Sequence, residues 1–239
     1  MVGKLKTIVW DAPDLRALSD FYVGVAGMTQ RYADDEWVTL TSADGWRFGI
    51  QHAPDLVPPQ WPDPAHPQQM HVDFQVADIE AAAAHAESLG ARRLAGNDHW
   101  ITLADPAGHP FDLCKADGDT EGTKVFAVTI DTDDAPALGT FYSGLLGLDV
   151  TYDGPEGVLI GQEGEQVMFQ QVAELRRPRW PDPAYPQQLH LDVTVSTDAD
   201  EAERAAIDLG ATRLPGEGEN WRVYADPHGH PFCLLTDVT

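Results

Sequence analysis

Hydrophobic and polar residues alternate with a period of two in many short stretches of the chain, and each such stretch predicts a β-strand. In the stretch Met70 to Val76, Val72 and Phe74 alternate with His71 and Asp73. Successive side chains of a strand point to opposite faces. We therefore expect the apolar pair to cover helices, and the polar pair to meet water or a cavity.

Two stretches of the first half have the spacing of an amphipathic helix instead. One is Asp14 to Val23, followed by glycines, and the other begins at Asp78 and is terminated by Gly90. Each helix follows one strand and precedes three, so the half is predicted to contain two β-α-β-β-β modules separated by a proline-rich loop. The predicted strands are Leu5 to Trp10, Met28 to Tyr32, Trp37 to Thr41, Trp46 to His52, Met70 to Val76, Ala91 to Ala95, Trp100 to Ala104 and Pro110 to Lys115.

The second half repeats the first. The segment WPDPAHPQQMHVDF, which begins at Trp61, returns as WPDPAYPQQLHLDV from Trp180, and DPAGHPF from Asp105 returns as DPHGHPF from Asp226. Repetition of this length indicates a duplicated structural unit. We predict a first domain at 1–115 and a second at 123–239, joined by the polar linker ADGDTEG at 116–122.

The composition is that of a globular protein, but the chain is strongly acidic. It has 15 Lys and Arg against 39 Asp and Glu, a formal net charge of −24. Such a surface repels nucleic-acid phosphates and anionic membranes, so we expect neither as a partner. No stretch approaches the roughly 18 apolar residues of a membrane span. The absence of a signal-peptide pattern and the presence of only Cys114 and Cys233 predict a cytoplasmic protein without a disulfide.

Several residues with chemical potential are assigned no role from the sequence. His109 and His230 lie in the two DPxGHPF turns, where we expect them to be exposed. Cys233 has no base nearby in the sequence, which favours a small buried side chain over a nucleophile. Phosphate-loop, CxxC, HExxH and GxSxG motifs are absent from the sequence, so nucleotide, zinc-protease and serine-hydrolase functions have no support.

Three motifs, each present twice, are typical of one superfamily. They are FY followed by a glycine exit (Phe21-Tyr22 and Phe141-Tyr142), the QQxH entry to a strand, and the DPxGHPF hairpin. With the four modules, they make the chain resemble the vicinal oxygen chelate superfamily, and in particular its glyoxalase-like, bleomycin-resistance-type proteins. The resemblance covers nearly the whole chain. It implies an α+β fold in which four βαβββ modules pair into two tandem domains with curled mixed sheets that form open cups.

The resemblance also implies where a metal would be held. In enzymes of this superfamily, the first and fourth strands of two paired modules bind a divalent metal. In the first half these positions correspond to His71, Asp112 and Gln51, while the opening strand, Lys4 to Trp10, supplies no ligand. A first-row metal needs several good N, O or S donors, and this set is weak. We therefore expect no cofactor, with Ni, Zn, Mn or Fe as the alternative.

The second half differs in its ligand positions. His190 corresponds to His71 and Gln170 to Gln51, but Cys233 stands where the first half has Asp112. The resemblance therefore implies a second cup with a poorer ligand set. If one cup alone is functional, we expect it to be that of the first half.

Other side chains are candidates for the lining of the cups. His71 and His190 are either ligand-facing partners, with His71 as a possible catalytic base, or strand histidines bonded to the proline loop. Asp73 lies two residues on, where it orients the imidazole or belongs to a solvated stripe. Trp61 and Trp180 are either aromatic lids or packing residues of the loop. Trp10, with Trp37 and Trp46, enriches the first half in aromatics, which favours a planar apolar ligand there.

Three hypotheses for the function follow. The first is metal-free binding of a small organic molecule, for example sequestration of an antibiotic-like compound. The second is a metal-dependent lyase, isomerase or related enzyme. The third is a scaffold whose cups are filled by side chains. For all three we expect a monomer or homodimer in which the two domains pair within the chain.

Overall fold

The structure is a computed structural model that describes residues 1–63, 66–118, 120–182 and 188–236. Parts of several predicted segments lie outside the described residues. These are positions 64–65 and 183–187 of the two proline-rich loops, position 119 of the predicted linker, and positions 237–239 at the end of the predicted second domain.

The order β-α-β-β-β occurs four times along the described chain. The first half contains β1 (Lys4–Ala12), α1 (Leu15–Ala26), β2 (Thr29–Ala33), β3 (Trp37–Thr41), β4 (Arg47–His52), β5 (Met70–Val76), α2 (Ile79–Ser88), β6 (Arg92–Gly96), β7 (Trp100–Ala104) and β8 (Pro110–Lys115). The second half contains β9 (Lys124–Thr132), α3 (Ala135–Leu146), β10 (Val150–Gly154), β11 (Gly157–Ile160), β12 (Val167–Gln171), β13 (Leu189–Thr194), α4 (Ala199–Leu209), β14 (Thr212–Glu217), β15 (Trp221–Ala225) and β16 (Pro231–Leu235). The predicted α+β fold of four such modules is confirmed.

The helices begin and end where local chemistry favours it. The side chain of Asp14 accepts a hydrogen bond from the backbone N–H of Ala17 and caps α1. The helix then continues past its predicted end, through Gly24, to Gly27, whose φ of 61° is left-handed. Within the described residues, no helix combines the length and the apolar character needed to cross a membrane.

Two eight-stranded mixed sheets organise the molecule. One has the order β14-β15-β16-β13-β1-β4-β3-β2, and the other has the order β10-β11-β12-β9-β5-β8-β7-β6. Their central contacts are the antiparallel pairs of β1 with β13 and of β5 with β9. Each sheet therefore joins one module of the first half to one of the second: the first module pairs with the fourth, and the second with the third.

The apolar faces of both sheets pack against the helices. Trp10 belongs to this core: its side chain is 1% exposed and stacks on Tyr22 and Phe48, at centroid distances of 4.1 Å and 4.8 Å. The prediction that Trp10 contributes to ligand binding is therefore wrong. Strand alternation places Thr7 on the cavity side of β1 and turns Ile8 and Trp10 towards α1.

The turn histidines are buried as well, which corrects the expectation that they are exposed. His109 is 0% exposed, and its Nδ1 lies 3.0 Å from Oδ2 of Asp105, which also accepts a hydrogen bond from Tyr22 Oη at 3.0 Å. The second half has the equivalent cluster of Tyr142, Asp226 and His230. Each hairpin is thus hydrogen-bonded to the helix of the preceding module, and this contact fixes the position of the hairpin relative to that helix.

Candidate functional site

Each sheet keeps a cavity on the face opposite the helices. We name the two cavities the His71 cup and the His190 cup after the histidine in each. The His71 cup has a volume of about 410 Å³ and is formed by strands of the second and third modules. Its lining includes Trp61, Gln68, His71, Asp73, Gln75, Trp100, Thr102, Asp112, Cys114, Phe126, Thr129, Met168 and Gln170.

A histidine between two carboxylates occupies one wall of the His71 cup. Nε2 of His71 lies 3.3 Å from Oδ1 of Asp73 and 4.0 Å from Oδ2 of Asp112. Asp73 accepts a hydrogen bond from Thr129, and Asp112 accepts one from Thr102. His71 and Asp73 are buried, so Asp73 orients the imidazole and is not part of a solvated stripe. Alternation along β5 placed both side chains correctly.

The charges of this cluster favour a protonated histidine. Burial disfavours a charged imidazole, but Asp73, Asp112 and Asp131 outweigh it and raise the pKa of His71 to about 9. Burial raises the pKa of Asp112, which Asp73 raises further and His71 lowers. At neutral pH and without a metal, the ring of His71 is therefore protonated and lies beside the carboxylates of Asp73 and Asp112. In that state it donates hydrogen bonds and is a poor general base.

Asp131 is a site residue that the sequence reasoning missed. The side-chain amide of Gln68 donates to its carboxylate at 3.0 Å, and that of Gln170 donates at 3.4 Å. Burial raises the pKa of Asp131. The opening strands were predicted to end one residue before Asp131 and its counterpart Asp11, whereas β9 and β1 each continue two residues further than predicted. The alignment of these two aspartates in the repeat was the available signal.

The His190 cup is formed by the first and fourth modules and has a volume of about 580 Å³. Its lining combines tryptophans with charged groups of both signs. It includes Lys6, Thr7, Glu36, Trp37, Arg47, Gln51, His52, Trp180, His190, Asp192, Trp221, Val223, Cys233 and Leu235.

The buried cluster of the His190 cup has a different charge state from its counterpart. Nε2 of His190 lies 3.7 Å from Asp192, and Nδ1 lies 3.8 Å from Asp11. Burial nevertheless lowers the pKa of His190 to about 4, which leaves the ring neutral at pH 7. Burial also raises the pKa of Asp192 to about 7, against the effects of Lys6 and Arg47. The thiol of Cys233 has a pKa raised by burial and by Asp192, so it is protonated.

The two glutamines lie in the opposite cups from those predicted. Gln51 lines the His190 cup and Gln170 lines the His71 cup, so the prediction that Gln51 shares a cup with His71 and Asp112 is wrong. The reason is the pairing of β1 with β13, which brings the fourth strand of the first module beside the last module. Local sequence patterns do not specify which module is the partner.

The repeated tryptophans do line the cups. Trp61 lies in the His71 cup with Trp100, and Trp180 lies in the His190 cup with Trp221. Trp61 and Trp180 both precede cis proline peptide bonds and are partly buried. These positions allow contact with a ligand, and their role as lids stays a prediction.

Two groups of three potential metal donors occur among the described residues. His71, Asp73 and Asp112 form one, and His190, Asp192 and Cys233 form the other; within each group the donor atoms lie within 4.8 Å of one another. The first group fits a divalent cation, because it offers one nitrogen and two carboxylates on a single module, with Asp73 as a donor that was not predicted. The second group fits poorly, because its thiol is protonated and Lys6 and Arg47 line the same cavity.

Comparison with known proteins tests the predicted resemblance. A family model described as a glyoxalase-like domain matches residues 7–114 and again residues 127–235. No curated protein matches the chain. The structure of glyoxalase I from Zea mays superposes with a TM-score of 0.65 at 16% identity, covering 98% of this chain and 92% of that one.

A smaller solved structure covers about half of the chain. A fosfomycin resistance protein from Listeria monocytogenes matches 49% of this chain and 94% of its own, with a TM-score of 0.41 and 17% identity. At such identities a likeness to solved structures concerns the fold alone. The two family-model matches cover most of the sequence and confirm the resemblance. The chain therefore belongs to the glyoxalase-like family of the vicinal oxygen chelate superfamily.

Proposed function

We propose that this protein binds small organic molecules in its two cups. The observation that carries the proposal is the same in both sheets: a cavity of ligand-binding size has a buried titratable cluster on one wall and tryptophans on another. The cavities argue against a scaffold with cups filled by side chains. Aromatic rings offer apolar contact area, and a few polar groups fix the orientation of a ligand.

In the His71 cup, the residues are arranged to hold a polar group of the ligand. The protonated ring of His71 is a hydrogen-bond donor, and the carboxylates of Asp112 and Asp131 are acceptors. Met168 and Phe126 supply apolar contacts nearby. This cup therefore suits a molecule with a polar or cationic end and an apolar body.

A metal-dependent lyase, isomerase or related enzyme is the second candidate. The observation in its favour is the donor group of His71, Asp73 and Asp112. These three residues would hold a divalent metal such as Ni, Zn, Mn or Fe, which when bound polarises a substrate oxygen as a Lewis acid. Asp131, held by Gln68 and Gln170, remains available beside them to accept a proton. Because His71 must lose its own proton to become a ligand, affinity for the metal rises with pH.

Metal analysis and ligand binding on the same preparations separate these candidates. Protein purified without chelator is measured for bound metal, and small aromatic compounds are tested by thermal shift. His71→Ala removes the metal if the second candidate is right, and the matched variant His190→Ala retains it. A metal-free wild type rejects the metal-dependent enzyme, whereas failure of any compound to bind either cup rejects the proposal of binding.

The remaining expectations concern the setting of the protein. We expect it to act in the cytoplasm as a monomer or homodimer, and we expect nucleic acids and membranes not to be partners. The net charge of −24 supports the last expectation, since it disfavours association with polyanions.

A further inference from the structure

Two basic side chains converge on the His190 cup of an otherwise acidic chain. The sequence has only 15 Lys and Arg against 39 Asp and Glu, yet Lys6 and Arg47 both line this cavity. They lie on the neighbouring strands β1 and β4, and the irregular pairing of β1 with β13 between Leu5 and Thr7 allows Lys6 to line the same cavity as Thr7. Burial and the nearby charge of Arg47 lower the pKa of Lys6, and Asp192 opposes them; Lys6 is half-buried and Arg47 is exposed.

The other cup of the same chain is an internal control for this arrangement. The counterparts of Lys6 and Arg47 are the uncharged Phe126 and Gln166, and the counterpart of Cys233 is Asp112. All three differences make the His190 cup more positive than the His71 cup. At these positions it has two cations in place of uncharged residues and a thiol in place of a carboxylate, although Glu36 also belongs to its lining.

The carboxylates around the His190 cup lie at different depths. Asp192 is buried 3.7 Å from His190, and its charge acts on Lys6 and partly balances it. Asp11 is buried 3.8 Å from the other nitrogen of His190. Glu36 is 81% exposed at the rim, 3.8 Å from His52, where solvent screens its charge.

Tryptophans make up much of the lining of this cup. The indole of Trp37 lies so close over Gly49 that a Cβ on Gly49 would come within 2.3 Å of it, so the ring packs directly against the backbone of the sheet. Trp180 and Trp221 also line the cavity. A planar ring can therefore stack in this cup while a charged substituent reaches Lys6 and Arg47.

We propose that the His190 cup is a metal-independent site for a planar aromatic anion, with Lys6 and Arg47 binding the anionic group and Trp37, Trp180 and Trp221 contacting the ring. This inference rests on the proposed function, that the cups bind organic molecules, and it adds the class of ligand. It also assigns the two cups ligands of opposite charge.

Three probes with the same ring and different charge test the proposal. Naphthoate, naphthylmethanol and naphthylmethylammonium are titrated into the protein by calorimetry in the presence of EDTA. We expect naphthoate to bind about tenfold or more tightly than the ammonium probe, with the alcohol between them. EDTA removes any contribution of a metal in the His71 cup.

Variants assign the binding to the residues named. The double variant Lys6→Phe, Arg47→Gln, which installs the residues of the other cup, should weaken naphthoate about tenfold or more and remove the preference for the anion. The charge-preserving variant Lys6→Arg, Arg47→Lys should retain both. Continued binding of naphthylmethanol by the Lys6→Phe, Arg47→Gln variant shows that its loss of affinity for naphthoate is not one of folding. His71→Ala should leave naphthoate binding unchanged.

Each contrary result overturns a different statement. Equal affinity for the three probes rejects the anion site but leaves binding of organic molecules by the cup intact. If His71→Ala loses naphthoate binding and the Lys6 and Arg47 variants do not, the anion binds in the His71 cup, and the inference is rejected. If none of the three probes binds, the proposed function itself fails for the His190 cup.

Discussion

His71 and His190 occupy equivalent positions of the repeat, and their surroundings give them opposite charge states. Both are buried, so desolvation disfavours the imidazolium in each. Around His71, three carboxylates outweigh that effect. Around His190, Cys233 stands in the place of Asp112, and burial lowers the pKa without carboxylates that outweigh it. Differences around a site thus reverse the proton occupancy of its central residue.

This difference can be measured directly. In metal-free protein, the ring of His71 should stay protonated at neutral pH and lose its proton near pH 9, whereas His190 should stay neutral until the pH falls to about 4. Long-range nitrogen–proton NMR follows both rings, with His71→Gln and His190→Gln to assign the signals. Titration of both rings near pH 6.5 would contradict the prediction.

The buried cluster of Tyr22, Asp105 and His109 should stabilise the fold through its hydrogen bonds. Tyr22→Phe removes a hydrogen bond to a buried carboxylate, and its free energy of unfolding should fall by about 1–3 kcal/mol. Burial and Asp105 raise the pKa of Tyr22, so the phenol remains a donor at any pH at which the protein is handled. Chemical denaturation provides the measurement.

Two variants serve as controls for this prediction. Tyr142→Phe removes the equivalent bond to Asp226 in the second half and should cost a similar amount. Tyr32→Phe removes a bond between exposed side chains and should leave the free energy of unfolding nearly unchanged. A negligible effect in both buried variants would show that these clusters do not stabilise the fold.

Among the elements, alternation along the strands predicted which side chains face a cup but not which strands come together. Val72 and Phe74 were placed in the core and His71 and Asp73 in the cavity, because the faces of one strand follow from its own sequence. The identity of the strand that pairs with β1 does not follow from the sequence of β1, because β1, β5, β9 and β13 all start similar modules. The sequence of either β5 or β13 satisfies the same apolar pattern, and only packing of the complete chain selects one.

The cross-strand contact of Trp37 with Gly49 allows a test at the level of the sheet. Gly49→Leu should push the indole away from the floor of the His190 cup, shift its fluorescence and weaken binding of naphthoate. In the other sheet, Gly157 corresponds to Trp37 and Met168 corresponds to Gly49. The large residue and the glycine are therefore exchanged between the two strands. Met168→Leu is therefore the matched control and should leave the His190 cup unaffected.

At the scale of the whole molecule, neither half of the chain completes a sheet by itself. The pairs of β1 with β13 and of β5 with β9 both join one half to the other. A chain of residues 1–118 would expose the edges of β1 and β5, and such edges pair with other strands. We expect this fragment to associate or aggregate, and to recover a compact state when residues 120–239 are supplied.

Size-exclusion chromatography with light scattering tests this expectation. The separate fragments should run as oligomers, and their mixture should give one species with the mass of the intact chain. A stable monomer of residues 1–118 with cooperative unfolding would mean that the modules of one half pair with each other when the partner half is absent. Intact protein is the control for both mass and cooperativity.

Each sheet crosses between the two halves of the chain, and this arrangement allows the two cups to differ. Two identical half-chains assembled in this way would be related by a twofold axis, and symmetry would make their cups the same. Joining the halves into one polypeptide removes that constraint, because equivalent positions can then hold different residues. Lys6 beside one cavity and Phe126 beside the other are such a pair. The covalent link therefore permits one molecule to present two chemically distinct cavities.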